Sequence, residues 1–294
     1  MAFAVLAAWQ ASAEPTPKTA VLLVSHGSRS AAWREGLVDL EHRVTPSLKK
    51  LGIAEVQTAF MEYTEPSIAT RLKALDGADV TDVILVPVFL TVSPHSFDDI
   101  PTIIGKKEDA KSLQVLKLES IERYSPKARV TVTPLLDFSG LLKTNVLRRA
   151  RSLSRDPSQE GLVLIAYGDS TYEKEWTQLL ESVGSYVREQ LGVNELSVGW
   201  CGHLVHYAPE KTTEAVERVL THKSRALVVP VLVAFDEMFQ VKIIGGGIEK
   251  VEDRERRVAY RPDAILPDPD VEAWVVRIAG ETLQKLGQTS SVTP

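Results

Sequence analysis

Apolar residues along this chain fall into short continuous runs that alternate with helical patterns. The first run, AVLLV at 20–24, ends abruptly in SHGS at 25–28. Runs rich in Val, Leu and Ile that stop at turn residues are typical of buried strands. Strands are predicted at 20–25, 55–60, 82–90, 113–118 and 129–133. Near-continuous apolar strands between helices indicate an α/β fold whose parallel sheet is covered on both faces.

A long helix is predicted after the first strand of each half. Apolar residues recur at helical spacing over 37–51 and again over 176–191. Gly52 and Gly192 follow these patterns directly. Glycine commonly ends a helix, so both helices are expected to stop there.

The second half of the chain repeats the order of the first. GLVLIAYGDST at 161–171 parallels AVLLVSHGSRS at 20–30, and LVVPVLV at 227–233 parallels ILVPVFL at 84–90. Self-similarity on this scale predicts two duplicated α/β domains.

The duplication predicts three parts of the chain, joined by a polar segment. These are a leader at 1–17, an N-terminal domain at 18–151 and a degenerate C-terminal repeat at 161–288. Pro66 and Pro209 are each predicted to open a helix at matching places, since proline is favoured in the first helical turn. The densely charged segment 105–128 has no counterpart of equal length in the second half, and it is either a mobile flap or a solvated excursion.

Composition narrows the classes of function. The formal net charge is −5, and no stripe of Lys and Arg offsets it, which argues against a general nucleic-acid binder. Cys201 is the one cysteine, so an internal disulfide framework and a zinc site made only of cysteines are excluded.

The beginning of the chain predicts export. A short apolar run leads to Ala11-Ser12-Ala13, which resembles the end of a secretory signal peptide and favours a periplasmic or secreted protein. The basic residues that usually precede such a run are missing, and the alternative is an apolar N-terminus on a cytoplasmic protein. No later stretch is long and apolar enough to predict a membrane span.

Two of the six histidines follow predicted strands of the first half. His26 ends the first strand, and His95 lies just past the third. If both strands are parallel neighbours, both imidazoles rise at the same edge of the sheet, where α/β folds bind ligands. Neutral imidazole is a common ligand for borderline divalent metals, and Asp99 is placed to orient the His95 ring. Each histidine is also explained by a turn or packing role.

These motifs resemble the class II chelatases, the sirohydrochlorin cobalto- and ferrochelatases. The resemblance rests on LLVSHGSR, AFMEYTEPSI, VPVFLTVSPHSFDDIP and VTVTPLLD, which follow in the family's order across the first domain. It implies two duplicated flavodoxin-like domains around a cleft. It also implies that His26 and His95 hold a divalent metal, Co²⁺ or Fe²⁺ and possibly Ni²⁺, as a substrate, with no organic cofactor.

The resemblance also assigns roles to the residues around the two histidines. Glu62 matches the family's glutamate and is expected to assist removal of the pyrrole protons. Glu65 is better explained by charge complementarity at a helix start. Ser28 and Arg29 are expected to contact substrate carboxylates, although Ser28 is equally explained as a helix cap.

The second half departs from the family pattern. Tyr167 stands at the His26 position and Met238 near the His95 position, so one functional site is expected, in the first domain. Cys201, His203 and His206 cluster near the end of a predicted strand. They form either a chance cluster in a loop or an auxiliary metal or haem-contact site.

The sequence therefore predicts a lyase that inserts Co²⁺ or Fe²⁺ into a tetrapyrrole and releases two protons. The alternative is an exported protein of the same fold that binds haem, another tetrapyrrole or metal without turnover. The expected partner is a tetrapyrrole small molecule rather than nucleic acid, and the sequence does not predict an oligomeric state.

Overall fold

Two four-stranded parallel sheets form the centre of the protein. The structure, a computed structural model, describes residues 17–136 and 140–290, with side chains through residue 288. The strand order is β2-β1-β3-β4 in the first sheet and β6-β5-β7-β8 in the second. The strands are β1 (Thr19–Ser25), β2 (Glu55–Phe60), β3 (Asp82–Pro87), β4 (Arg129–Val132), β5 (Glu160–Ala166), β6 (Glu195–Trp200), β7 (Arg225–Val231) and β8 (Val258–Tyr260). The predicted α/β fold with duplicated parallel-sheet domains is confirmed.

Helices cover both faces of each sheet. They are α1 (Ala31–Lys50), α2 (Ile68–Gly77), α3 (Ile100–Ile103), α4 (Ala110–Leu118), α5 (Leu141–Leu153), α6 (Glu173–Leu191), α7 (Glu210–Leu220), α8 (Gly246–Ile248), α9 (Arg254–Arg257) and α10 (Pro269–Ser290). Short π-helical segments span His95–Asp99 and Glu237–Gly245, and 3₁₀ turns span Pro157–Gln159 and His203–Val205. The predicted leader falls on residues 1–16, outside the described residues, except for Pro17.

The two long helices lie where their apolar spacing predicts them. In α1 the buried residues are Leu37, Leu40, Val44 and Leu48. In α6, Gly192 adopts φ 79° directly after the last helical residue, a left-handed conformation that glycine reaches without a steric penalty.

Strand register shows that the two sheets are copies of one pattern. Ser25 pairs with Phe60 where β1 and β2 end, and Ala166 pairs with Trp200 where β5 and β6 end. On the other side, Pro87 of β3 occupies the position that Pro230 of β7 occupies in the second sheet, since they pair with Val24 and Ile165. Equivalent positions in the two halves are therefore fixed by hydrogen-bonded pairing.

The last helix of each half packs on the sheet of the other half. Helix α5 packs against α6 and β7, whereas α10 packs against α1 and β3. Asn145 of α5 is buried and donates to the carboxylate of Asp268, which also accepts from backbone N–H groups in the first turn of α10. One apolar core runs through both halves as a result. The predicted boundaries 18–151 and 161–288 follow the duplicated sequence, but α5 and α10 each pack across them onto the other half.

The predicted strand at 113–118 is wrong. This stretch belongs to helix α4, because Asp109 caps the helix by accepting from the Ser112 N–H at 2.8 Å. The buried residues of α4 are Ser112 and Leu116, four apart, so burial follows the helical period rather than the strand alternation.

The segment 105–128 folds onto the first sheet. The carboxylate of Asp76 accepts from the Tyr124 hydroxyl at 2.7 Å and from the Lys127 and Ala128 N–H groups. These hydrogen bonds outweigh the effect of burial and lower the pKa of Asp76. The charged excursion is thus anchored to the end of α2.

The helices that were predicted to begin at Pro66 and Pro209 begin one or two residues later in the structure. Pro209 precedes α7 directly. Pro66 lies before Ser67, whose hydroxyl caps α2 by accepting from the Thr70 N–H at 3.2 Å. The cap hydrogen bond, rather than the proline, therefore fixes where α2 begins.

Glu160 lies where the two halves are joined, and its hydrogen bonds are expected to stabilise that junction. Its buried carboxylate accepts from the Ser154 hydroxyl, the Arg155 N–H and the Arg225 guanidinium. Burial alone would raise the pKa of Glu160, but these donors lower it. Glu160→Gln is expected to reduce the free energy of unfolding by about 2 kcal/mol at neutral pH, in urea titrations.

The carboxylate contributes this stability above the unfolded pKa of Glu160 and loses it as pH falls through the lower folded pKa. The difference between Glu160→Gln and wild type should therefore shrink on acidification. Glu181→Gln, on the exposed face of α6, is the matched control. A difference in the free energy of unfolding that stays constant with pH would contradict this stabilising role of the Glu160 carboxylate.

Candidate functional site

The carboxyl end of β1 approaches the residues that follow β2. Gly27 adopts φ 84°, and a Cβ atom there would overlap the carbonyl oxygen of Glu62. Only glycine allows both this backbone conformation and this close approach. The His-Gly pair is therefore a backbone requirement that brings His26 beside Glu62.

His26 and Glu62 form an ion pair. Nε2 of His26 lies 2.7 Å from Oε1 of Glu62, and Nδ1 of His26 donates to the Gly27 carbonyl at 3.1 Å. Burial alone would lower the pKa of His26, but the hydrogen bond and charge of Glu62 raise it. Burial would likewise raise the pKa of Glu62, yet its hydrogen bonds lower it to about 2. The carboxylate is buried and ionised, and its charge favours the protonated form of the imidazole beside it.

His95 faces His26 from the π-helical turn that follows β3. The two ring centroids are 4.8 Å apart, with the ring planes at 72°. Nδ1 of His95 lies 2.7 Å from Oδ2 of Asp99, the contact that the four-residue spacing predicts. Since Asp99 engages Nδ1, the ring orientation is fixed and Nε2 is the nitrogen left for another partner.

His26, Glu62 and His95 together form a donor set for a metal ion. One ligand atom from each lies within 4.8 Å of the others, and no further group of three such side chains occurs among residues 17–136 and 140–290. Two imidazoles and one carboxylate suit a borderline divalent cation and leave coordination positions open.

Glu119 is a member of this site that sequence reasoning missed. It follows the last residue of α4, and its carboxyl group hydrogen-bonds with Glu62. That hydrogen bond raises the pKa of Glu119 to about 7. No local spacing links Glu119 to Glu62, and the segment before it was predicted as a strand, so the sequence carried no signal for this contact.

A cavity of about 850 Å³ opens beside the donor set and is lined by both halves. Eight of its lining residues are aromatic. The first half contributes Trp33, Tyr63 and Phe89, and the second contributes Tyr167, Tyr207, Phe239 and others. The predicted cleft is therefore present, with largely aromatic and apolar walls.

Ser28 and Arg29 both line this cavity. The Ser28 hydroxyl donates to Asp236 of the second half at 2.7 Å, so its proton is engaged across the cleft. The guanidinium of Arg29 lies 5.7 Å from the ring centre of Tyr63. Glu65 does not join the site; its carboxylate accepts from the Ser67 N–H at 2.6 Å, near the start of α2.

The second half lacks the donor set at the equivalent edge of its sheet. Counting from the paired strand ends, Tyr167 lies at the His26 position, Gly202 at the Glu62 position and Met238 at the His95 position. Tyr167 and Met238 were predicted there, whereas the loss of the glutamate becomes visible only from the register.

The structure does not gather Cys201, His203 and His206 into a metal site. Cys201 is fully buried, and burial raises the pKa of its thiol. His203 is exposed and hydrogen-bonds with the Tyr207 hydroxyl at 2.9 Å. Alternation along a strand does not apply, because β6 ends at Trp200 and the chain then turns.

Sequence comparison identifies the family of the first half. Residues 20–153 match the CbiX family model. The sirohydrochlorin cobaltochelatase of Methanosarcina barkeri is 30% identical over 94 residues, which cover 32% of this chain and 70% of that relative. The chain belongs to the CbiX family. The resemblance to class II chelatases is thereby confirmed.

Two further relatives match over stretches of similar length. The sirohydrochlorin cobaltochelatase of Methanococcoides burtonii is 34% identical over 87 residues, covering 30% of this chain and 64% of the relative. That of Methanocaldococcus jannaschii is 36% identical over 90 residues, covering 31% of this chain and 61% of the relative. The chain thus spans a little under two thirds of the length of these two relatives.

Solved structures share the fold over nearly the whole chain. SirB from Bacillus subtilis with Fe³⁺ has a TM-score of 0.64 at 17% identity, covering 90% of this chain and 95% of that one. The sirohydrochlorin chelatase SirB from Bacillus subtilis subspecies spizizenii in complex with cobalt has a TM-score of 0.63 at 17% identity, covering 92% and 98%. The duplicated two-sheet architecture is therefore that of known chelatases.

Across the residues that the structure describes, every helix is too short or too polar to cross a bilayer.

Gly27→Ala tests the backbone contact that forms the site. The new Cβ would require a strained left-handed alanine and would displace the Glu62 carbonyl, so we expect a loss of about 2–4 kcal/mol in the free energy of unfolding. Urea denaturation measures it. Gly77→Ala is the control, because a Cβ there meets no atom within 4 Å. Equal stability of the two variants would refute the close approach.

Proposed function

We propose that this CbiX-family chain is a sirohydrochlorin cobalto- or ferrochelatase. It inserts Co²⁺ or Fe²⁺, with Ni²⁺ as a further candidate, into a tetrapyrrole and releases two protons. The observation that carries the proposal is the convergence of His26, Glu62 and His95 beside a cavity of about 850 Å³. The names of the relatives, all cobaltochelatases, support the same activity.

In this proposal His26 and His95 hold the metal ion that is inserted. Two neutral imidazoles bind a borderline cation without cancelling its charge, so the ion stays electrophilic and transferable. Asp99 keeps the His95 ring oriented through Nδ1. His26 gives up its Nε2 proton when the metal binds, so binding should strengthen as pH rises through the raised pKa of His26.

Glu62 is the proposed proton acceptor on the metal side of the macrocycle. Its carboxylate is ionised, buried and within hydrogen-bond distance of His26. While a metal ion occupies the donor set, its positive charge keeps the pKa of Glu62 low. As the ion passes into the macrocycle this charge moves away, and the burial that raises the Glu62 pKa then favours uptake of a pyrrole proton.

The two halves have different proposed roles. The N-terminal half, 18–151, carries the metal, and the C-terminal half, 161–288, supplies the opposite wall of the cleft. Ser28 and Arg29 are proposed to contact carboxylates at the rim of the macrocycle. The Ser28 hydroxyl already donates its proton to Asp236, so it must break that hydrogen bond before it can donate to a substrate carboxylate. A location outside the cytoplasm stays a prediction from the leader sequence.

Removal of the imidazoles tests the metal site. His26→Ala and His95→Ala are each expected to weaken Co²⁺ binding by about tenfold to a hundredfold or more, measured by calorimetric titration. Both variants should remain folded at the temperature of the titration, but their unfolding temperatures should fall, because each substitution leaves a buried carboxylate, Glu62 or Asp99, without its imidazole partner. His42→Ala, on the exposed face of α1, is the control. Unchanged binding in the double variant His26→Ala, His95→Ala would overturn the assignment.

Turnover separates a chelatase from a carrier. Purified protein with Co²⁺ and an excess of sirohydrochlorin is expected to give the absorbance change of the metallated product beyond one equivalent. The double histidine variant should give no more than the uncatalysed rate. Tight binding of one equivalent without product would instead support a tetrapyrrole- or metal-binding protein of the same fold.

A further inference from the structure

A chain of hydrogen bonds leads to solvent from the part of the cavity wall that the C-terminal half supplies. The Tyr167 hydroxyl lies 3.2 Å from the Tyr207 hydroxyl, which lies 2.9 Å from both ring nitrogens of His203. Tyr167 and Tyr207 line the cavity and are partly buried, whereas His203 is exposed. We name these three residues the tyrosine chain.

The tyrosine chain begins at the place that one metal donor occupies in the first half. Tyr167 stands at the His26 position, and both are followed by a glycine of positive φ, 80° at Gly168 and 84° at Gly27. Gly202 stands at the Glu62 position, and a Cβ there would meet the Tyr167 ring. The glutamate is thus replaced by a residue that makes room for the tyrosine.

The backbone that presents Tyr207 is strained. His206 and Tyr207 have φ values of 50° and 58°, two successive non-glycine residues in the left-handed region. Hydrogen bonds from their N–H groups to His203 and Gly202 hold this turn. Strain of this kind persists where the surrounding structure fixes a functional side chain. Here it directs the Tyr207 ring between Tyr167 and His203.

Metal insertion needs an acceptor for each of two protons. Two pyrrole protons leave for each metal that enters, and the incoming cation repels protons on the face that it approaches. Glu62 lies beside the metal donors, so it serves that face only. A proton that leaves through the other face of the macrocycle meets the C-terminal half, where Gly202 has removed the equivalent carboxylate.

We infer that the tyrosine chain carries one of the two pyrrole protons from the macrocycle to solvent. This inference rests on the proposed function. The pyrrole N–H bond breaks and its proton passes to the Tyr167 oxygen, as the Tyr167 hydroxyl proton moves to Tyr207. Tyr207 passes its own hydroxyl proton to His203, whose imidazolium then releases a proton to water. No electrons are transferred, and each tyrosine ends as the neutral phenol.

Removal of one hydroxyl tests the chain without removing a ring. In steady-state cobalt insertion into sirohydrochlorin, Tyr207→Phe is expected to lower kcat by about tenfold to a hundredfold while KM stays within about twofold. His203→Gln should lower kcat in the same way. Tyr186→Phe and His222→Gln are the matched controls, since both residues lie outside the cavity lining.

Coupling distinguishes a relay from separate packing effects. The double variant Tyr207→Phe, His203→Gln should be no slower than Tyr207→Phe alone, because a broken chain cannot be broken twice. Added imidazole should restore turnover of His203→Ala, since it replaces the final proton acceptor. Rescue would not occur if His203 served only to hold Tyr207 in place.

Three results would overturn the relay. One is a rise in KM with kcat unchanged, which would make the wall a binding platform only. A second is a double variant whose kcat falls by the two single losses combined. A third is a kcat that stays at the wild-type value in the substituted proteins. A wild-type protein that binds cobalt but never metallates sirohydrochlorin would instead overturn the proposed function, and the relay with it.

Discussion

The order of three parallel strands is the constraint on which the site depends. Because β1 lies between β2 and β3, the residues that follow these three strands emerge side by side at one edge of the sheet. His26, Glu62 and His95 come from those three strand ends. The left-handed turn at Gly27 and the π-helical turn at His95–Asp99 complete the placement of the donor set. Parallel pairing converts three distant stretches of sequence into one cluster.

Duplication supplied a second edge of the same geometry, and the two edges have diverged. The first retains nitrogen and carboxylate donors, whereas the second carries phenol and thioether side chains at the same register positions. The edge of the first sheet therefore offers donors for a metal ion, whereas the edge of the second sheet lines the cavity with aromatic rings. The division of labour within one chain thus follows from substitutions at positions that strand pairing makes equivalent.

Sequence patterns predicted the parts of this arrangement that depend on local periodicity. The strands that carry His26 and His95 were visible as apolar runs, and the contact between His95 and Asp99 followed from their spacing along a helical turn. Glu119 was not predictable, because its approach to Glu62 depends on how α4 packs on the sheet. The strand expected at 113–118 failed since a capping aspartate and helical burial override a short apolar alternation.

The exchange of α5 and α10 between the sheets has a consequence for how such a fold is assembled. Each half lacks, within its own stretch of sequence, the helix that covers one face of its sheet. A half-length chain with this topology would leave that face bare unless a second copy donated the helix. Joining two copies end to end makes the donation intramolecular, and only then are the two cleft walls free to acquire different chemistry.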